Sequence, residues 1–327
     1  MRFSGLPHRP KPPLMIVTPF DTSNRAESAS LKVLSIARSL HRTTPLLQQL
    51  PHPILGQSAS TARPGRCLLM WYKLAMATEW CGPFCFYELR TIDRAAARDF
   101  YGAVFGSESI AVGREDTPLW VRFDGESVGE ITILPPQAVE KGAPAHWLGH
   151  LGVSDVEQAV QRWESLGACQ LGPRRRTADG YQIALIRDSF GSVVALTNRE
   201  CSAAPRGVLW HELHTEDQER AVLGYGQAVG IVKTEAFDPG LGIGLYQQFA
   251  WQDSQSSVGA MVSSVRIPGV HPHWLYYFKV PDLMRALERT ESLGGRVYQG
   301  VRVLPSGARV AQCEDPQGAV FGLLQSP

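Results

Sequence analysis

Ala145–Ala168 reads AHWLGHLGVSDVEQAVQRWESLGA, and Pro272–Gly295 reads PHWLYYFKVPDLMRALERTESLGG. At a constant offset of 127 residues, His146, Trp147, Leu148, Val153, Asp155, Ala159 and Arg162 recur as His273, Trp274, Leu275, Val280, Asp282, Ala286 and Arg289. Glu164-Ser165-Leu166-Gly167 recurs as Glu291-Ser292-Leu293-Gly294. So long a match at one spacing marks a duplicated unit of about 120 residues, an ordinary domain size.

Two further pairs of segments extend the duplication. Phe86–Gly106, FYELRTIDRAAARDFYGAVFG, is matched by Trp210–Gly230, WHELHTEDQERAVLGYGQAVG, at an offset of 124. The later landmark DSFGSVVAL (Asp188–Leu196) returns to the offset of 127 as DPQGAVFGL (Asp315–Leu323). The second copy therefore carries three extra residues between these landmarks. Insertions of that kind belong in surface loops, where added length costs little.

Within each copy the pattern alternates between strand and helix. Phe84–Arg90 has strand periodicity, with Phe84, Phe86, Glu88 and Arg90 on one face and Cys85, Tyr87 and Leu89 on the other. Thr91 and Asp93 are helix-capping residues ahead of a stripe formed by Ala97, Phe100, Tyr101 and Val104, and Gly106 marks its stop. Strand-like runs follow at 119–123 and 128–134, separated by the turn signal Asp124-Gly125. Residues 147–197 repeat this order, so strand, helix and further strands occur twice per unit and four times in the chain.

Composition excludes several classes of function. The chain has 327 residues, 44% hydrophobic and 19% charged, which supplies enough apolar residues for two cores. The overall charge of +1 hides an asymmetry, because residues 1–75 carry a net +8 and the remainder −7. An acidic repeat region argues against nucleic-acid binding, which needs clustered Lys and Arg. Arg174-Arg175-Arg176 is the one basic run there and reads as a solvated loop. No apolar run reaches the roughly 20 residues of a membrane-spanning helix. The six cysteines form no Cys-x-x-Cys pair and do not recur between the copies. They read as reduced thiols, which implies a cytoplasmic protein.

Residues 1–75 differ from the rest. Nine prolines interrupt them, leaving one helical pattern at 29–40 without a counterpart in the repeats. This Pro-rich basic leader is expected to be disordered or dispensable. Met76 offers an alternative start that would make it an artefact, while its Arg and Ser content resembles a transit peptide.

With Glu-Leu-x-Thr-x-Asp on the first strand, His-Trp-Leu on the fifth and Asp-Pro-Gln-Gly-Ala-Val-Phe near the end, residues 82–326 resemble the vicinal oxygen chelate superfamily. This is the group of glyoxalase I, extradiol dioxygenases and the bleomycin- and fosfomycin-resistance proteins. The same signatures resemble a tandem glyoxalase-like subfamily that often carries only a provisional hydroxylase label. The resemblance implies an α+β fold with two tandem domains, 82–199 and 207–326. Each would pair two βαβββ modules whose sheet curls into a cup around a small-molecule ligand. The fold serves isomerases, oxygenases, transferases and binding proteins, so it does not by itself choose a reaction. A fused pair forms an internal pseudo-dimer, as a monomer or in a homodimer.

The resemblance also implies metal ligands on the first strand of each module and on the last strand. Those positions fall on Phe86, Leu148 and Ala195 in the first copy and on Trp210, Leu275 and Gly322 in the second. None of these side chains binds a divalent cation, so no metal is expected at the family's usual positions. A displaced site of two histidines and one carboxylate remains as a minor alternative.

Strand alternation selects the polar residues of the cups. Glu88 shares a face with Phe86 and Arg90, and Glu212 shares one with Trp210 and His214. His146 and His150 flank Leu148, and His273 and Tyr277 flank Leu275. Burial raises a carboxylate's pKa and an imidazolium partner lowers it again, which suits Glu88 or Glu212 to acid/base work near neutral pH. Glu212, His214, His273 and Glu88 are therefore the candidate catalytic residues. Trp210, Tyr277, Trp274, Trp147, His146, His150 and Arg90 are the candidate ligand-binding residues. Each has a structural alternative: the glutamates as acceptors for buried donors such as the Trp147 or Trp274 indole, Arg90 as a salt-bridge partner, and the tryptophans as core. The second copy alone gathers Glu212, His214, His273 and Tyr277, and it is the better candidate for activity.

Three classes of function fit these residues. One is a metal-independent lyase, isomerase or cyclase, or an atypical metal-dependent oxygenase or hydroxylase. The second is a protein that sequesters a flat, partly apolar molecule, and the third is a scaffold.

Overall fold

Each repeat folds into its own sheet because its strands pair only with one another. The computed structural model describes residues 81–106, 109–111, 119–200, 207–238, 244–252, 254, 256–267, 269–304 and 306–327. The leader, residues 1–75, lies outside them. The first repeat supplies β1 (Cys81–Thr91), α1 (Arg94–Phe105), β2 (Ile110–Ala111), β3 (Leu119–Phe123), β4 (Glu126–Ile133) and α2 (Pro136–Glu140). It continues with β5 (His146–Val153), α3 (Val156–Ser165), β6 (Cys169–Gln170), β7 (Arg175–Arg176), β8 (Gln182–Arg187) and β9 (Val193–Thr197). The second supplies β10 (Val208–His214), α4 (Gln218–Val229), β11 (Ile231–Phe237), β12 (Tyr246–Trp251), β13 (Gly259–Val262), β14 (His273–Lys279), α5 (Leu283–Ser292), β15 (Arg296–Val303), β16 (Arg309–Glu314) and β17 (Val320–Gln325).

The four longest helices begin in the same way. Asp93, Asp155, Asp217 and Asp282 each accept a hydrogen bond from a first-turn backbone N–H, satisfying a donor that the helix cannot. Their apolar stripes then pack on the sheets. Among the described residues, no helix is long and apolar enough to cross a membrane.

The strand order is β2-β3-β4-β1-β5-β9-β8-β6 in the first curled sheet and β11-β12-β13-β10-β14-β17-β16-β15 in the second. In both, the first strands of the two modules lie side by side and antiparallel, β1 with β5 and β10 with β14. This register sets Glu88 opposite Leu148 and Glu212 opposite Leu275 on the inner faces. This is the mixed α+β cup architecture implied by the sequence.

The outer faces of the two sheets pack against each other through aromatic rings. Phe84 stacks on His211 at 4.9 Å, and the Phe105 ring stacks on Phe278 at 4.8 Å. Tyr276 donates no room to a side chain at Gly149: its hydroxyl accepts the Gly149 N–H at 2.9 Å, and an added Cβ would lie 2.5 Å from that oxygen. Two equivalent polar chains then cross between repeats. The Trp147 indole donates to the Tyr101 hydroxyl, which donates to Asp315 at 3.0 Å. The Trp274 indole donates to Tyr225, which donates to Asp188 at 2.8 Å. Each aspartate's other oxygen accepts two backbone N–H groups of its own turn. Every side-chain polar atom of these six residues is thereby paired, as burial requires.

Gln317 adds a clasp between the copies. Its side-chain oxygen accepts from the Thr91 hydroxyl and from the Ile92 and Asp93 amides, and its amide group donates to the Asp93 carbonyl.

His211, which sequence alternation sets on the face away from Glu212, lies buried in this junction. Its Nδ1–H donates to the Val258 carbonyl at 2.9 Å, and its Nε2 accepts from the Tyr87 hydroxyl at 2.6 Å. Burial lowers its pKa to about 4, against an ordinary value of 6.5. The unfolded chain therefore binds the proton first as pH falls, and stability drops between about pH 6.5 and 4. The loss at the lower end is on the order of 3 kcal/mol from this residue. Urea unfolding across that window checks it: His211→Gln should start less stable at pH 7 yet show a shallower decline. Equal slopes would remove His211 as the cause.

Candidate functional site

The inner face of the second sheet gathers one buried carboxylate and three groups that address it. Strand alternation on β10 turns Trp210, Glu212 and His214 inward, and β14 contributes Tyr277 beside Trp210 in the register. Glu212 is 1% exposed and His214 is fully buried. The Glu212 Oε1 lies 3.0 Å from His214 Nε2. Its Oε2 accepts from the Tyr246 hydroxyl at 2.9 Å and from the Tyr277 hydroxyl at 3.3 Å.

A second tier holds these groups. Trp210 donates its indole N–H to the Tyr246 oxygen at 3.0 Å, and Gln312 donates to the Tyr277 oxygen at 2.9 Å. On the far side, His214 Nδ1 is 2.7 Å from the Ser264 hydroxyl. Burial and the Glu212 charge push both phenols well above their ordinary pKa, so they act as neutral donors. The Tyr277 link is longer than an ordinary O–H···O bond and is the looser leg of the network. The result is a chain of polar contacts from Ser264 through His214 and Glu212 to Tyr277 and Gln312, hydrogen-bonded at every step except the 3.0 Å approach of His214 Nε2 to Glu212 Oε1.

His273 joins by stacking. Its ring lies parallel to His214, centroids 4.5 Å apart and planes 4° from parallel. Its Nδ1–H donates to the His271 carbonyl, and burial followed by the nearby His214 lowers its pKa to about 3. It therefore stays neutral and shapes the wall beside His214.

The first cup uses its equivalent glutamate differently. Glu88 accepts from Arg90 at 2.8 Å and from the Thr132 hydroxyl at 2.7 Å, with His150 Nε2 at 3.4 Å. Burial alone would raise this carboxyl, but His150 and the Arg90 charge together hold it well below the usual carboxylate range. Glu88 is thus a fixed anion, which corrects the expectation that it titrates near neutrality. Arg90 takes the salt-bridge role. Burial lowers the pKa of His150 despite the neighbouring carboxylate. His146 donates to the Pro144 carbonyl and lies at the strand start, opposite Arg90. Glu130 pairs with Glu88 in the sheet register, and burial together with that neighbouring charge raises its pKa. Arg199 lies over both the Phe86 and Tyr181 rings, at 4.3 and 4.4 Å from their centroids.

Trp147 and Trp274 are corrected as well. They alternate to the outer faces, where their indoles bond to Tyr101 and Tyr225, so they belong to the core between the sheets and not to the cup walls. Trp210 does wall the second cup. Sequence reading missed Tyr246, Ser264 and Gln312. Gln312 had a readable signal, a lone amide in the strand RVAQCE where the first copy has Leu185.

Comparison with known proteins places this geometry. The model of the Glyoxalase/Bleomycin resistance protein/Dioxygenase superfamily matches residues 84–196. CFP32 of Mycobacterium tuberculosis, provisionally named a glyoxylase, is 29% identical over 253 residues, covering 73% of this chain and 92% of that protein. The anthracycline biosynthesis protein DnrV of Streptomyces peucetius is 24% identical over 262 residues, covering 75% and 93%. Among solved structures, the Mn(II)-bound glyoxalase from Novosphingobium aromaticivorans superposes with a TM-score of 0.54 at 14% identity, covering 76% of this chain and 83% of the other. The 2,3-dioxygenase LapB from Pseudomonas sp. KL28 gives 0.51 at 15% identity, covering 76% and 92%. At these identities the structures share the fold.

The residues present do not fit the metal that such a fold commonly carries. Phe86, Leu148 and Ala195 offer no donor atom, nor do Trp210, Leu275 and Gly322 offer a ligating one. At Gly322 an added Cβ would run into the Tyr277 ring, so the tyrosine occupies the room a ligand would need. A displaced site fares no better. Imidazole lone pairs lie in the ring plane, and the parallel planes of His214 and His273 aim them along lines that do not meet at one ion.

The placement of the tryptophans yields a stability test. Trp147→Ala and Trp274→Ala should each cost about 3–5 kcal/mol in urea unfolding. Trp210→Phe, which loses chiefly the bond to Tyr246, should cost about 1 kcal/mol. A loss below 1 kcal/mol in the Trp147 variant would contradict its place in the core.

Proposed function

We propose that this chain, which belongs to the glyoxalase/bleomycin resistance/dioxygenase superfamily, is an enzyme of lyase, isomerase or cyclase type. It acts on a small organic metabolite in the second cup, with Glu212 as the buried general base or acid. The observation that carries this reading is the difference between the two equivalent glutamates. Glu88 is locked as an anion by Arg90, while Glu212 stands between a histidine and two phenols that can relay a proton.

Glu212 works through Tyr277. The carboxylate is itself buried, and Tyr277 lines a hollow on the inner face of the sheet. A proton leaving the substrate passes to the Tyr277 oxygen as the Tyr277 proton moves to Glu212 Oε2. The phenol remains neutral throughout, consistent with its raised pKa. His214, held by Ser264, orients the carboxylate. Tyr246 fixes the other lone pair, and Gln312 fixes the phenol. Such positioned proton transfer contributes typically about 10²–10⁴-fold to a rate. The likeness to a protein of anthracycline biosynthesis supports an organic metabolite over a macromolecular substrate. No step in this reading passes through a metal.

A second reading is sequestration of a flat ligand, favoured by the aromatic wall of Trp210, Tyr246 and Tyr277 and by the two phenol donors already committed to Glu212 Oε2.

Turnover separates the two. Hydroxylated aromatic acids, quinones and 1,2-dicarbonyl compounds are incubated with the full chain and followed by mass spectrometry. Under the enzyme reading one class is consumed. Glu212→Gln then slows that consumption about 10²–10⁴-fold with little change in Kd, and Glu88→Gln leaves the rate of the folded protein near normal. Saturable binding without consumption would replace the enzyme with a sequestering protein.

A further inference from the structure

The hollow beside Tyr277 has a chemistry of its own. It is lined by Tyr277, Tyr298, Arg302, Val310 and Gln312, contributed by β14, β15 and β16. Its enclosed part is about the size of one water, and the rest opens to solvent. It therefore receives only the polar end of a ligand, part of it in the opening, and leaves the body of the molecule in the open cup.

Three polar groups meet there. Arg302 lies close enough for its positive charge to favour ionisation of Tyr277. Gln312 is 4% exposed and spends its amide N–H on the Tyr277 oxygen. Because the Tyr277 proton is committed to Glu212, Gln312 must be the donor in that bond, which leaves its Oε1 as an acceptor. That oxygen is buried and has no hydrogen-bond partner. An unpaired buried acceptor is costly, on the order of 1–3 kcal/mol, and a ligand that supplies a donor recovers it. The nearby Glu314 is engaged by the Tyr298 hydroxyl and by Arg296 at 3.7 Å.

We infer that this hollow is a subsite for a small organic acid. Arg302 receives the carboxylate, and Gln312 Oε1 receives an adjacent hydroxyl or amine donor of the same ligand. The inference deepens the proposed function, on which it rests, by naming the substrate class as a hydroxy- or amino-substituted carboxylate. It also explains an asymmetry between the copies. At the common offset, the first repeat has Leu185 where the second has Gln312, so the first cup lacks the acceptor. A carboxylate held by Arg302 would bring the donor-bearing carbon of the ligand toward Tyr277, the exit of the proton path. The charge on Arg302 offsets the repulsion from Glu212, which lies behind the phenol.

Calorimetric titration of the full chain with salicylate, benzoate and 2-hydroxybenzyl alcohol tests the subsite. Salicylate, which has both groups, should bind saturably at millimolar concentration, with benzoate several-fold weaker and the alcohol undetectable. Arg302→Gln should weaken salicylate at least tenfold. Gln312→Leu, which installs the residue of the first copy, should erase the preference of salicylate over benzoate. Thermal melts of both variants establish that they are folded. Salicylate binding that is absent, or unchanged in Arg302→Gln, would overturn the subsite. Glu212→Gln separates the two ideas: salicylate binding with turnover abolished supports the subsite. Turnover of another compound that depends on Glu212, with no salicylate binding, would leave the enzyme standing and remove the acid subsite.

Discussion

The architecture depends on two buried hydrogen-bond chains that cross between the repeats. Trp147, Tyr101 and Asp315 form one, and Trp274, Tyr225 and Asp188 form the other. Each chain begins on a sheet of one copy and ends in a turn of the other. Burial raises the pKa of both aspartates and both tyrosines, so removal of any member strands a polar group away from water. Neither repeat can satisfy its tryptophan, tyrosine and aspartate alone. The two sheets are thus held back to back, with their inner faces turned away from the junction.

That constraint frees the inner faces to diverge. In the first cup Arg90, Thr132 and His150 surround the glutamate and fix its charge. In the second, His214 replaces Arg90 and Tyr277 replaces His150, while Ala260 stands where the first copy has Glu130 beside its glutamate. A permanent cation beside the first glutamate is thus exchanged for a histidine and two phenols beside the second. Under the proposed function, the same carboxylate position has a structural role in one copy and a chemical one in the other.

Duplication and the α+β cup were legible in the sequence because capping aspartates, strand alternation and turn glycines are local signals that recur. Glu88 and Glu212 were also legible, through their shared face with Phe86 and Trp210. Recurrence misled at Trp147 and Trp274, however. It marks what both copies require, and what they require most is the junction between them. The residues that distinguish the cups are those that fail to recur, such as His214, Tyr277 and Gln312. Tyr246 and Ser264 left no local signal, since only the strand pairing of β10 with β13, and of β13 with β12, brings Tyr246 to Glu212 and Ser264 to His214. The ionisation of Glu88 was likewise invisible, because it is the balance of burial against two partners that the fold assembles.

The central claim is that His214 faces Glu212 as a donor and Ser264 as an acceptor, so that the path through the carboxylate is continuous. Nitrogen-15 NMR of the full chain, labelled at histidine and assigned with His214→Gln, measures this directly. The account predicts a proton on His214 Nε2 that is protected from exchange and sensitive to Glu212→Gln. A neutral ring protonated at Nδ1, with Nε2 bare toward the carboxylate, would contradict it.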